Sequence, residues 1–72
     1  MEIFVFKTNI QTEQKVKSVK PIFNQHPSIQ QWSIDIEDVD NVLRVVAGNN
    51  LSESEVIQMI EPAGFNCEVM AY

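Results

Sequence analysis

An α+β fold with the element order β-α-β-β-α-β is predicted by three features of this 72-residue chain. Residues 2–8 alternate and are rich in β-branched and aromatic side chains. Two stretches with apolar residues at helical spacing come after Thr12 and Ser52, and between them two alternating stretches flank an acidic turn. The length suits one domain, residues 1–72, near the lower limit for a single unstapled hydrophobic core.

The first strand is expected over Glu2 to Thr8. Ile3, Phe4, Val5 and Phe6 put apolar groups on both of its faces, which suits a central strand. Thr12 is placed to cap the first helix and Glu13 favours its positive end, while Val16, Val19 and Phe23, widened by Ile22, form a buried stripe. Pro21 lacks a backbone donor and crowds the Lys17 carbonyl, so the spacing predicts a kink or a tightened last turn, with the helix over by His26-Pro27.

Trp32, Ile34 and Ile36 alternate with Ser33 and Asp35 and read as a second strand. The turn residues Glu37 to Asn41 then join it as a hairpin to a third, Val42 to Ala47. Gly48-Asn49-Asn50 breaks that strand. Ser52 and Glu55 form the S-x-x-E box that opens the second helix, which buries Val56, Ile57 and Ile60 and closes at Pro62 and Gly64. Cys67 to Met70 is the last strand. This order is the ferredoxin-like sandwich, a four-stranded antiparallel sheet with two helices on one face.

Composition excludes several function classes. A lone cysteine rules out an internal disulfide and any zinc site of four cysteines or two cysteines and two histidines built from one chain. No apolar run approaches the ~18 residues of a membrane helix, and the opening residues lack the pattern of a secretory signal. The expectation is a cytoplasmic protein without membrane insertion, to which the single thiol is suited. The formal charge of −5 argues against nucleic acid as a partner. The charge is uneven: Lys7, Lys15, Lys17 and Lys20 lie in or beside the first helix, whereas Asp35 to Glu68 are opposed only by Arg44.

The stretch Phe6-Lys7-Thr8-Asn9-Ile10, followed by Val19 and Pro21, resembles a branch of the heavy-metal-associated family that reads F-K-T-N-I-x-C-x-x-C before the first helix. Trp32-Ser33-Ile34-Asp35, Val42-Leu43-Arg44-Val45 and Ala63-Gly64-Phe65 extend the resemblance over nearly the whole chain. It implies capture of copper(I) or another soft metal by two thiolates and handover to a docked domain of the same fold. At the two ligand positions this chain carries Thr12 and Lys15, a variant lacking the C-x-x-C ligands. Soft cations need thiolate or thioether donors; a hydroxyl is a poor substitute, and an ammonium has no lone pair and repels the cation.

Small copper-chaperone-like relatives present a basic first-helix face to an acidic partner. By that resemblance Lys7, Lys15, Lys17 and Lys20 are candidate docking residues, against the plainer reading of a solvated helix face. Thr12 and Lys15, at a helix N-terminus, form a candidate anion contact. Cys67 reads first as a small core filler; its functional alternative is soft-metal carrying or sensing with Met59 or Met70, or by a thiolate pair shared between two chains. His26 has no second histidine to join it, and Glu37-Asp38-Val39-Asp40 lacks the calcium-loop pattern, which leaves a solvated turn.

For an enzyme the chain would need a nucleophile with its base, a metal-activated water or a glycine-rich phosphate loop, and none of these patterns is present. The third strand lacks the stacking aromatics of the RNA-recognition motif. The expected function is therefore non-enzymatic and cofactor-free, with no resident metal and protein contact through the basic first helix. A homodimer through the edge strand that carries Trp32 is a further expectation.

Overall fold

The computed structural model describes residues 2–48 and 50–70. Its elements are β1 (Glu2–Thr8), α1 (Glu13–Asn24), β2 (Ile29–Ile34), β3 (Leu43–Ala47), α2 (Glu53–Ile60) and β4 (Cys67–Val69), with a short 3-10 turn at Glu61–Ala63. The strands form one sheet in the order β2-β3-β1-β4, and each neighbouring pair is antiparallel. β1 and β2 are therefore parallel across β3, and β3 and β4 are parallel across β1. These are the two crossovers expected of the ferredoxin-like arrangement.

The alternation of β1 decides which face is covered. Phe4, Phe6 and Thr8 point with Leu43, Val45 and Ala47 of β3 into one core, which Val19 and Phe23 of α1 and Val56 and Ile60 of α2 close from above. Both helices thus lie on one face. The other face carries Ile3, still 59% exposed, beside the half-buried Val46 and the exposed Arg44, which pairs in register with Val5.

Each helix begins where its cap predicts. The Thr12 Oγ1 accepts from the Lys15 N–H at 3.2 Å, and the Ser52 Oγ accepts from the Glu55 N–H at 3.2 Å while its hydroxyl donates to the Glu55 carboxylate. Helix α1 runs through Pro21, whose ring lies on the exposed side, and it ends in a tightened bond from the His26 N–H to the Phe23 carbonyl. Gly64 ends the second helical segment at φ 96°, a left-handed conformation costly for a residue with a Cβ. The α-helical part stops at Ile60, however, and Pro62 sits in the adjoining 3-10 turn.

Strand β2 departs from its expected span at both ends. It starts at Ile29, because Ile29 already pairs with Ala47, and a bulge before Gln31 shifts the alternation so that the sequence conceals this start. It stops at Ile34 because Asp35 begins the turn: its Oδ1 accepts from the Glu37 N–H at 3.1 Å. Ile36 consequently falls in the turn. β3 starts at Leu43 and β4 ends at Val69, each one residue inside the expected boundary. Asn49, one of the three residues expected to break β3, lies outside the described residues.

Candidate functional site

The loop between β1 and α1 is held from outside itself. The Thr8 hydroxyl is buried, donates to the Asn41 carbonyl at 2.7 Å and accepts from the Ile10 N–H at 3.2 Å. Asn41 presents that carbonyl from a left-handed conformation, φ 46°, which its side chain secures by donating to the carbonyls of Ile36 and Asp38. On the other side, the Asn9 Oδ1 accepts from the Asn66 N–H at 2.8 Å, while the Asn9 N–H donates to the Asn66 carbonyl. Ile10 is fully buried in the core.

Each residue of Phe6-Lys7-Thr8-Asn9-Ile10 therefore has a structural task. Phe6 and Ile10 anchor the two ends, Thr8 and Asn9 tie the loop to the β2–β3 turn and the turn before β4, and the Lys7 Nζ lies 3.6 Å from Asp40. The sequence shows this run as a motif. What it does not show is Asn41 and Asn66, since nothing local marks two asparagines 33 and 57 residues away from their partners.

At the tip of the loop, the Thr12 hydroxyl is engaged as the helix cap and the Lys15 Nζ reaches the Gln11 Oε1 at 3.5 Å. Neither side chain suits a soft cation. The cap also takes up one of the N–H groups that an anion at this helix end would use, so the anion reading of Thr12 and Lys15 gains nothing beyond a helix terminus.

The four lysines expected to form one docking patch do not share one surface. Lys7 alternates away from the core, opposite Glu68 on the uncovered face, and is ion-paired to Asp40. Lys15 lies about 200° around the helix from Lys17 at ~100° per residue, whereas Lys17 and Lys20 are three residues apart and share a side. These two stand over a groove of about 510 Å³ between α1 and the edge strand β2, floored by Val16, Trp32, Ile34 and Ile36. Trp32 faces the helices: its ring packs on Phe23 at 4.9 Å between centroids, and its Nε1 donates to the Asn24 Oδ1 at 3.0 Å.

Cys67 is the small core filler of the plainer reading, 6% exposed and packed in the cluster with Phe6 and Ile60. Burial, helped by the nearby Glu61 and Glu68 carboxylates, pushes its thiol up to about 12. A soft metal needs the thiolate at a reachable surface, and this sulfur is protonated and covered. Among the described residues no three histidine, cysteine or acidic side chains converge as a metal site.

The raised thiol makes a pH prediction. Because the folded value lies above the unfolded one, the contribution to stability is complete below about pH 9. It is lost as pH rises toward about 12, at no more than about 1.4 kcal/mol per pH unit, since only the unfolded chain ionises first. Urea unfolding from about pH 8 to about pH 11 should show the wild type losing ground to Cys67→Ala. Parallel curves would show that Cys67 is not held as a neutral thiol.

No family model and no curated protein matches the chain. Solved structures do. The fold is that of the copper-binding heavy-metal-associated domains, as the resemblance in the sequence implied. Among its structural neighbours are a copper-binding domain from HMA7, a P-type ATPase, at 22% identity and TM-score 0.84, covering 99% of this chain and 96% of that one. The yeast copper transporter domain Ccc2a, in apo and Cu(I)-loaded states, matches at 15% and 0.83 over 99% and 97%. The first domain of the human copper chaperone for SOD1 matches at 17% and 0.80 over 96% and 92%. At these identities the likeness concerns the fold. No helix among the described residues is long and apolar enough to cross a membrane.

Proposed function

We propose that this chain is a non-enzymatic heavy-metal-associated-like domain whose first loop no longer captures soft metal, and that it acts by docking the Lys17 and Lys20 side of α1 onto an acidic partner protein. The observation that carries this reading is the chemistry at the loop tip: a hydroxyl engaged as a helix cap and an ammonium, on a loop whose supporting residues are otherwise complete. Protein contact fits the fold as well, since a neighbour at TM-score 0.85 is the complex of Atx1, Cu(I) and Ccc2a, one protein bound to another. A reducing cytoplasm suits a domain with one buried thiol.

The test is differential capture from the cell of origin. Lys17→Glu with Lys20→Glu should weaken retention of a specific partner more than tenfold, as reversing two charges in an interface costs several kcal/mol. Lys7→Glu, on the other face, should leave it unchanged. Equal capture by wild type and the double variant would end the docking reading.

A further inference from the structure

We propose that the groove between α1 and β2 receives an extended, acidic segment of the partner, which adds to β2 as a fifth strand. This rests on the docking reading above and specifies how the partner is held.

Strand β2 is an edge of the sheet, six residues long, whereas the other edge, β4, has three. Its free hydrogen-bonding side can be assigned. The Asp35 N–H donates to the Val42 carbonyl at 2.9 Å, so by alternation Ser33 and Gln31 also bond toward β3. Trp32 and Ile34 then turn their N–H and carbonyl groups outward, where an added strand would meet them. The same two residues send their side chains into the groove floor, so main-chain pairing and an apolar pocket occur at one place. That combination is the basis of recognition by strand addition.

Charge selects the occupant. Lys17 and Lys20 stand over the groove and no ion pair engages either among the described residues; the one acid lining it is Glu13. A second copy of this chain is the poorer guest, because antiparallel pairing of two β2 strands about a two-fold axis brings both copies' lysines toward one another. Lysines beside an edge commonly prevent such self-pairing. A strand alternating acidic and apolar residues satisfies the lysines, the outward backbone groups and the pocket together.

The experiment is selection of a displayed library of random peptides against the whole domain. Enrichment of sequences alternating apolar and acidic residues is expected, with amide shifts on binding centred on Trp32 and Ile34 and a change in the emission of Trp32, the chain's single tryptophan. Methylating the backbone nitrogens of a selected peptide one at a time should abolish binding at alternate positions only. Lys17→Glu with Lys20→Glu should weaken binding at least tenfold, and Arg44→Glu on the opposite face should not.

Selection of peptides without acidic enrichment, shifts centred on Ile3 and Val46, or equal tolerance of methylation at every position would overturn strand addition. So would concentration-dependent self-association lost on blocking β2. If the lysine reversal abolishes partner capture while the methylation pattern is flat, docking at α1 stands and strand addition fails. If neither measurement responds, both fail.

Discussion

Thr12→Cys combined with Lys15→Cys is expected to yield a domain that keeps copper(I) through a chelator challenge that strips the wild type. The two positions flank the first turn of α1, with the Thr12 hydroxyl 3.2 Å from the Lys15 nitrogen. Thiols at a helix N-terminus ionise more readily, which supplies soft donors that Thr12 and Lys15 do not offer. Without metal the variant loses the cap and about 1 kcal/mol of stability. With free copper(I) at about 1,000 times its dissociation constant it should gain about 4 kcal/mol, read as a shift in the urea midpoint. The wild type should show no shift. A double variant that binds no better than its parent would mean that positions 12 and 15 do not occupy the ligand sites of a metal loop, and the reading of a lost site would fall with it.

Phe6→Ala should cost about 3–5 kcal/mol. Phe6 is fully buried, packs edge-on to Phe4 with ring centroids 6.4 Å apart, and pairs with Leu43 on one side and Val69 on the other. A domain of this size holds only about 4–11 kcal/mol in total, so the variant sits at or near unfolding at room temperature. Ile3→Ala, three residues away on the same strand but on the uncovered face, should change stability by less than about 1 kcal/mol. Circular dichroism across a urea titration distinguishes the two. Similar midpoints for both variants would contradict the assignment of the covered face.

Much of the fold was legible because its cues are local. Phe4 and Phe6 alternate with Ile3 and Val5, Thr12 and Ser52 each cap the helix after them, and Gly64 stops a helix where only a residue without a Cβ turns cheaply. The start of β2 was not legible: a bulge breaks the period of two, and Gln30 and Gln31 carry no apolar signal at a solvent edge. The docking patch failed as a single surface for a related reason. Lys7, Lys15, Lys17 and Lys20 are neighbours in sequence, yet a strand and a helix distribute side chains by different periods, two residues in one and 3.6 in the other. The groove under Lys17 and Lys20 needed coordinates, since Val16 and Ile34 meet only once α1 has crossed to β2.

The clasp from Thr8 to Asn41 and the one from Asn9 to Asn66 have a consequence for how this loop can change over time. Its path is dictated by partners in two distant turns, and the side chains at 12 and 15 take no part in either clasp. Recognition chemistry and backbone course are thereby uncoupled. A lineage could exchange donors at those two positions, in either direction, without first passing through a misshapen loop.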